Sequence, residues 1–279
     1  MIDLVTVVFQ DELPVLKLQA ASVARYCQNI GIRNIYVVVN DDDNAIQHID
    51  VDWWGELANR VMILPRSVFS TEFVDNGWVS QQVLKLLAAS MSHNAWSMVL
   101  DAKTIFVRDV ELAELIDPQG RAQVGLMPTF SVFEYARLIV NELFDIKMTQ
   151  QLGPGGVPFM LHNNTVRLML GEISFLTDQS FPVWFQAHGR LTEFMLYSGY
   201  VQYKFGSFDK LYSDQLHFRP VNVCHSEVGA WDRKFKEMHQ TDTLTVSVHR
   251  RAWEQLSTQQ RQQYKSLLVD SGISEAQQL

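Results

Sequence analysis

The N-terminal part of the chain alternates between apolar runs and a helical pattern. The run Leu4–Phe9 is almost entirely apolar and rich in Val, which is typical of a strand buried on both faces of a parallel sheet. Apolar residues then recur three and four positions apart from Leu13 to Cys27, which predicts a helix that ends near Gly31. A second buried strand follows at Ile35–Val39. This order predicts a right-handed parallel crossover.

The same alternation continues along the chain. Further strands are predicted at Val61–Leu64, Trp96–Leu100 and Val124–Met127, with Thr104–Val107 as a short continuation of the strand before it. Helices are predicted at Val79–Met91, 163–176, 178–188, Thr192–Tyr203 and in the polar tail from Arg251. The stretch Gln151–Pro158 is the richest in Gly and Pro and predicts a loop. The chain is therefore expected to form an α/β fold, with a mostly parallel Rossmann-type sheet flanked by helices, in a single domain with a helical C-terminal part.

Polar clusters follow three of the predicted strands. They are Gln10-Asp11, Asn40–Asn44 and Asp101-Ala102-Lys103. Ligands of open α/β sheets bind beyond the carboxyl ends of the strands, so these clusters predict one ligand crevice in the first half of the chain. The alternative is that these residues are solvated caps and turns.

Composition and charge exclude several classes of protein. The chain has 279 residues, 47% of them hydrophobic, and a net charge of −8 from 23 Lys and Arg against 31 Asp and Glu. Lys and Arg form no basic block, so nucleic acid is not expected as a partner. With only Cys27 and Cys224, neither a disulfide framework nor a zinc site is expected.

Targeting and catalytic motifs are also informative. No run approaches the roughly 18 apolar residues of a transmembrane segment. Asp3 stands where a signal peptide would carry Lys or Arg, so a cytoplasmic location is predicted. The sequence lacks the Gly-x-Ser-x-Gly elbow of serine hydrolases, the Gly-x-Gly-x-x-Gly of dinucleotide enzymes and the phosphate-binding loop of NTPases.

A resemblance to a known family rests on several segments in the same order. Gly77–Leu86 contains a Gln-Gln-x-x-Lys helix, and Met98–Phe106 follows it with a strand that ends in Leu-Asp. The later segments are Val157–His162, Leu191–Tyr200 and Val248–Arg251. Together they resemble a bacterial family of uncharacterised proteins related to type-A-fold (GT-A) glycosyltransferases, over roughly residues 1–255.

The resemblance implies a GT-A-like fold and a transferase. Residues 1–127 would be a nucleotide-sugar-binding half and 128–255 an acceptor half, followed by a C-terminal helical tail at 256–279. The protein would move a sugar from a nucleotide-sugar donor to a glycan or glycoconjugate acceptor. The alternative is an inactive protein on the same scaffold that binds sugar nucleotides or glycans.

The resemblance also implies site residues. Donor contacts would come from the strand ends, from one helix and from the terminal His-Arg segment: Gln10, Asp41, Asp43, Gln81, Lys85, Asp101, Lys103 and His249. Gln81 and Lys85 lie one turn apart and share a helix face, although an exposed polar stripe would give the same spacing. Acceptor contacts would come from Gly155, Gly156, His162 and Tyr197, because glycine lets a sugar approach the backbone closely.

One departure from the family pattern concerns the metal. GT-A enzymes usually carry Asp-x-Asp at this strand end, and the second Asp binds the divalent ion that holds the donor diphosphate. Here the sequence is Asp101-Ala102-Lys103, and Lys is not a ligand for Mg or Mn. Lys103 would then pair directly with the diphosphate, or the site would bind without turnover. A further alternative keeps Mn or Mg on Asp101, through waters and with His249.

The proton acceptor of the reaction is expected at Glu193. An inverting transfer needs a carboxylate near the acceptor hydroxyl, and Glu193 begins a predicted helix at the place where the resembling folds present their base. The alternative is a role in capping that helix, with Thr192 as the N-cap residue.

Overall fold

The residues described in the computed structural model of the protein are 1–41, 43–70, 72–73, 76–129, 133–154 and 156–278. Gly155, which was predicted to contact an acceptor, lies outside the described residues, as does Asp42 of the polar run after the second strand.

Strands and helices alternate through most of the described chain. The strands are β1 (Ile2–Val8), β2 (Ile32–Val39), β3 (Val61–Pro65), β4 (Trp96–Asp101), β5 (Ile105–Phe106), β6 (Ala122–Val124), β7 (Leu126–Pro128), β8 (Gln150–Leu152), β9 (Phe159–His162), β10 (Tyr212–Asp214), β11 (Arg219–Val223) and β12 (Thr243–Val248). The helices are α1 (Leu13–Tyr26), α2 (Gly77–Met91), α3 (Leu112–Leu115), α4 (Glu134–Phe144), α5 (Asn163–Thr177), α6 (Phe181–Ala187), α7 (Glu193–Phe205), α8 (Trp231–Met238), α9 (Arg250–Gln255) and α10 (Thr258–Asp270).

The main sheet has the strand order β3-β2-β1-β4-β9 within the described residues. The strands β1 to β4 are parallel, and β9 runs antiparallel beside β4. Every residue of β1 is buried, as the uninterrupted apolar run predicts for a central parallel strand. Gly31 adopts the left-handed conformation (φ 67°) at the turn between α1 and β2. These observations confirm the predicted α/β fold with a mostly parallel sheet.

A second sheet lies where the sequence predicted a continuation of β4. The strand β5 leaves the main sheet after a turn and pairs antiparallel with β12, which in turn pairs parallel with β11. The expectation of one continuous strand is therefore wrong. The reason is that the backbone oxygen of Asp101 accepts the backbone N–H of Thr104 at 2.8 Å, which closes a turn between the two strands.

The C-terminal segments complete this second sheet. Apolar residues of β11, β12, α8, α9 and α10 form one cluster with Leu18 of α1 and Ile105 of β5. The tail at 256–279 thus packs through Leu256, Tyr264 and Leu268 into the same core as the second sheet.

Two small sheets complete the described structure. The predicted strand Val124–Met127 is split, because β6 pairs with β10 whereas β7 pairs with β8. The predicted loop Gln151–Pro158 begins only after β8, which includes Gln151 and Leu152. Gly153 is needed there because a Cβ atom would come within 2.7 Å of the backbone oxygen of Gly125.

Candidate active site

The carboxyl end of β4 is positioned by a buried polar network from α1. Gln19, which is 2% exposed, donates to the backbone oxygen of Asp101 at 2.5 Å and accepts the hydroxyl of Thr6 at 2.8 Å. One turn further along α1, Ser22 accepts the backbone N–H of Phe106 at 3.1 Å. The two bonds hold both ends of the turn from β4 to β5, so the turn is fixed before any ligand binds.

Four charged side chains from three elements meet at this turn. Lys85 of α2 donates to Asp101 at 2.7 Å and to Glu193 of α7 at 3.0 Å. Lys103 donates to the other carboxylate oxygen of Asp101 at 2.7 Å. We call Lys85, Asp101, Lys103 and Glu193 the charged array. Its two ammonium groups and two carboxylates cancel in formal charge.

Burial and pairing set the ionisation of the array. Burial alone would raise the pKa of Asp101, but the charges and hydrogen bonds of Lys103 and Lys85 outweigh it and hold that pKa well below its usual range. Burial alone would lower the pKa of Lys85, but Asp101 and Glu193 outweigh it and raise that pKa well above its usual range. Both residues therefore stay charged across the physiological pH range.

The array lines one side of an open cleft of about 390 Å³. Lys85 is only 5% exposed at its side chain, whereas Asp101 and Lys103 are each 22% exposed. The cleft therefore exposes Lys103 and Asp101, while Lys85 lies beneath them.

A smaller pocket of about 220 Å³ lies on the other side of Lys103. Carboxylates of Asp11 and Glu12 and the rings of Trp253 and Tyr264 line it. Lys103 belongs to both linings, so it stands at the junction of the cleft and the smaller pocket.

The structure brings together five of the eight residues proposed for the donor site, together with Gly156, proposed for the acceptor, and Glu193, proposed as the base. The cleft is lined by Gln81, Lys85, Asp101, Lys103, Gly156, Glu193 and His249. The exposed-stripe alternative for Gln81 and Lys85 fails, because Lys85 is 4% exposed and ion-paired.

Three other proposed donor residues lie apart from the cleft. Gln10 and Asp41 follow β1 and β2 at the same edge of the sheet, where the backbone N–H of Gln10 donates to Asp41 at 2.8 Å. Asp43 is exposed in the following turn. Gln10, Asp41 and Asp43 line neither the cleft nor the smaller pocket.

Two proposed acceptor residues do not reach the cleft. His162 pairs with Trp96, the first residue of β4, and so lies at the opposite end of that strand from Asp101. Tyr197 is fully buried, and its hydroxyl accepts the backbone N–H of His162 at 3.0 Å and the hydroxyl of Tyr212 at 2.7 Å. Neither residue lines the cleft, because the antiparallel pairing of β9 places His162 at the other end of β4 and the core encloses Tyr197. Their contact with an acceptor stays a prediction.

Helix α7 begins as the sequence predicted. The Thr192 hydroxyl caps it by accepting the backbone N–H of Met195 at 3.3 Å. Glu193 is free of the capping role, and its carboxylate turns instead to Lys85. Gln82 accepts the backbone N–H of Glu193 at 3.2 Å, which ties the start of α7 to α2.

The sequence of the chain matches the model of one protein family. Residues 4–250 match a family of unknown function, DUF6492. The chain belongs to this family. No curated protein matches its sequence.

Solved structures show which fold the DUF6492 chain shares. It is similar to the galactosyltransferase LgtC in complex with donor and acceptor sugar analogs, with 11% identity, 96% of each chain covered and a TM-score of 0.51. It is also similar to an active-site mutant of LgtC, with 13% identity, 97% of this chain and 96% of that chain covered, and a TM-score of 0.50. The DUF6492 chain therefore has the fold of type-A glycosyltransferases, and the resemblance inferred from the sequence is confirmed.

The divalent metal of such folds does not fit the side chains of this DUF6492 chain. Both carboxylate oxygens of Asp101 accept from lysines. Nδ1 of His249 accepts the backbone N–H of Arg251 at 3.2 Å, so in the neutral ring the proton sits on Nε2 and neither nitrogen is free to bind a cation. Among the residues described, no group of three or more His, Cys, Asp or Glu side chains could hold a metal ion.

The ionisation of His249 agrees with this arrangement. Burial, followed by the nearby charges of Lys103 and Arg251, lowers the pKa of His249. The ring is therefore neutral near pH 7 and presents an Nε2–H donor, which suits an anionic oxygen better than a metal.

Several cleft residues of this DUF6492 chain were missed by the sequence analysis. Gln82 is one of them, although it belongs to the Gln-Gln-x-x-Lys motif of α2. The others come from loops, helix starts or strands of the smaller sheets: Trp78, Gln151, Phe194, Asn222, Cys224 and Ser247. Gln19 did carry a signal in the sequence, because it is a polar residue three positions after Leu16 on the apolar face of α1.

In the described part of the chain, no helix combines the length and the apolar character needed to cross a membrane.

Proposed function

We propose that the protein is a glycosyltransferase that moves a sugar from a nucleotide-sugar donor to a glycan or glycoconjugate acceptor without a divalent metal. The observation that carries the proposal is Lys103, held by Asp101 at the junction of the cleft and the smaller pocket in a type-A glycosyltransferase fold. Its ammonium group takes the place that a metal-binding carboxylate has in the Asp-x-Asp pattern.

Lys103 has the charge and the free capacity for this role. An ammonium group has three N–H donors, and the contact with Asp101 uses one of them. A cation about 4 Å from a phosphate charge contributes roughly 4 kcal/mol at an effective dielectric constant near 20. Asp101, which Lys85 holds in turn, keeps Lys103 in position, so little side-chain ordering is left for the binding step.

The position of Lys103 between two pockets supports a ligand with three parts. In this proposal the diphosphate lies at Lys103 and at the Nε2–H of His249. The nucleoside occupies the smaller pocket, where Trp253 offers a ring face and Asp11 and Glu12 offer acceptors for ribose hydroxyls. The sugar then extends into the cleft.

The chemistry asked of the chain is a displacement at the anomeric carbon. The bond from that carbon to the diphosphate oxygen breaks, a bond to the acceptor oxygen forms, and the acceptor hydroxyl loses a proton. We assign that proton to Glu193, which lines the cleft. In this proposal Lys85, 3.0 Å from Glu193, keeps the carboxylate in position at the cleft.

Turnover of a panel of nucleotide sugars, measured as nucleoside diphosphate released with and without EDTA, tests the proposal. We expect turnover that EDTA does not change, and a loss of about 100-fold or more in kcat for Glu193→Gln, the lower range for removal of a general base. Lys236→Ala, which changes an exposed lysine on α8, should behave as wild type. Turnover abolished by EDTA and restored by Mn²⁺ would contradict the metal-free proposal.

A binding protein without turnover is the second candidate. The pairing of Glu193 with Lys85 favours it, because an ion-paired carboxylate is a poor proton acceptor. Nucleotide binding together with no turnover of any donor and acceptor pair would select this function.

A further inference from the structure

Several residues that line the cleft carry no charge. We call five of these uncharged residues the neutral wall, in contrast to the charged array: Gln151, Gly156, Val157, Asn222 and Ser247. They come from β8, from the loop after it, and from β11 and β12.

Gln151 is the unusual member of the neutral wall. Its side chain lines the cleft, and the residue is only 5% exposed. The carbonyl oxygen Oε1 is buried and has no hydrogen-bond partner among the described residues. Burying an amide oxygen without a partner costs free energy that folding alone does not return. Because Gln151 belongs to the lining of the cleft, this unsatisfied acceptor points to a ligand that brings an O–H or N–H donor once the Gln151 amide turns toward it.

Asn222 supplies the complementary group. Its Oδ1 accepts the Ser247 hydroxyl at 2.6 Å, which fixes the orientation of the amide and leaves the Nδ2 hydrogens as donors. A Cβ atom at Gly156 would lie 3.9 Å from that Nδ2. Gly156 therefore lies beside the donor end of the Asn222 amide, where a larger side chain would be in contact with it.

Aromatic residues complete the surroundings. Trp78 is half-exposed and Phe194 stacks on Phe159 with ring centroids 4.0 Å apart; Trp78 and Phe194 both line the cleft. Ring faces of this kind pack against the C–H groups of a sugar ring, while amides exchange hydrogen bonds with its hydroxyls.

We infer that the neutral wall is a sugar subsite in which Gln151 Oε1 accepts a hydroxyl and Asn222 Nδ2 donates to a hydroxyl of an uncharged pyranose. A uronic acid is disfavoured, since its carboxylate would meet the Gln151 oxygen with no cation on this wall. The inference rests on the proposed function, because it names the class of sugar that the glycosyltransferase handles in the cleft.

The test is saturation-transfer NMR on the full chain. The probes are methyl glucoside, methyl galactoside and glucuronate, each with and without UDP or GDP. The variants are Gln151→Met and Asn222→Ala, and the control is Gln150→Met, which changes an exposed residue one position earlier on β8. A nucleotide sugar as a further probe separates a donor sugar from an acceptor sugar, because only the donor sugar is linked to the nucleotide.

We expect a neutral glycoside to bind the wild-type protein and to bind each of the two variants about tenfold more weakly, as one lost hydrogen bond predicts. Gln150→Met should not change binding. The melting temperature of Gln151→Met should stay the same or rise, because the substitution removes a buried acceptor that has no partner among the described residues. A purely structural glutamine would instead lose stability on this change.

The outcomes separate the inference from the function on which it rests. Glucuronate binding as strong as that of the neutral glycosides, unchanged binding in both variants, or a lowered melting temperature for Gln151→Met overturns the neutral subsite. UDP or GDP binding without any glycoside or nucleotide-sugar contact at the wall overturns the subsite but leaves the proposed function standing. Glycoside binding without any nucleotide binding contradicts the proposed function and leaves the subsite intact.

Discussion

The two ends of the main sheet each hold a buried or partly buried aspartate, but in different surroundings. At the amino end, Asp3 is fully buried, and its donors among the described residues are all neutral: the backbone and side chain of Asn34 at 2.9 and 3.2 Å, Asn94 at 2.7 Å, and Ser92. At the carboxyl end, Asp101 is partly exposed and accepts from two lysines. The same sheet therefore provides hydrogen-bond donors to a carboxylate in two ways, from neutral groups at Asp3 and from ammonium groups at Asp101.

The difference shows which end is built for a ligand. Neutral donors at Asp3 come from the start of β2 and from the residues just before β4, so they join neighbouring strands and leave no charged group exposed. Cations at Asp101 bring a partly exposed ammonium group to an open cleft. The amino end is a structural junction, whereas the carboxyl end holds charge where a solvated anion can reach it.

The largest expected loss of stability follows from a substitution of Lys85. Lys85→Met keeps the length of the side chain but leaves Glu193 buried without its cation, so we expect the free energy of unfolding to fall by about 3–5 kcal/mol. Urea denaturation measures this loss. The double variant Lys85→Met/Glu193→Gln should recover part of it, because the unpaired charge is gone. A loss no larger than that of a surface pair, about 1 kcal/mol, would show that the array does not hold α2 and α7 together.

A smaller effect is expected at the other end of the sheet. Asp3→Asn places an amide among donors that need an acceptor, so we expect the free energy of unfolding to fall by about 1–3 kcal/mol. Binding of UDP or GDP to the folded variant should not change. If Asp3→Asn weakened nucleotide binding as much as changes in the array do, the proposed division between the two ends would be wrong.

The smallest expected effect on stability is the pH dependence of the unfolding free energy that Asp101 causes. Lys103 and Lys85 hold the pKa of Asp101 below its unfolded value, against the effect of burial. The stability that Asp101 contributes is therefore complete above the unfolded pKa of about 3.9 and is lost as the pH falls toward the folded pKa. The difference in unfolding free energy between the wild-type protein and Asp101→Asn should narrow below about pH 4. A difference that stays constant through this range would mean that the lysines do not lower the pKa.

The sequence predicted four of the five strands of the main sheet, because β1, β2, β3 and β4 are mainly apolar, whereas β9 and its antiparallel pairing were not predicted. Helix spacing predicted that Gln81 and Lys85 share a face, but it was the family resemblance that placed this face and Asp101 in one site. The neutral wall was not predicted because Gln151, Asn222 and Ser247 lie on short strands whose partners are distant in the chain. The pairing of Lys85 with Glu193 was missed for the same reason, because the two residues are 108 positions apart.

Some expectations from the sequence are not tested by the structure of the chain alone. The division into 1–255 and 256–279, the cytoplasmic location and the identity of the donor stay predictions. His162 and Tyr197 show the limit of a resemblance, because motif order does not say at which end of a strand His162 lies or that Tyr197 of α7 faces the core.

Calorimetric titration of UDP and GDP in EDTA tests the role of Lys103 most directly. We expect the wild-type protein and Lys236→Ala to bind at least one of the two nucleotides without metal. Lys103→Ala should bind it about tenfold or more weakly, because the ammonium charge is lost, while its unfolding free energy changes by less than about 1 kcal/mol. Equal affinity in Lys103→Ala and wild type, or wild-type binding that appears only when Mn²⁺ is added, would contradict the account.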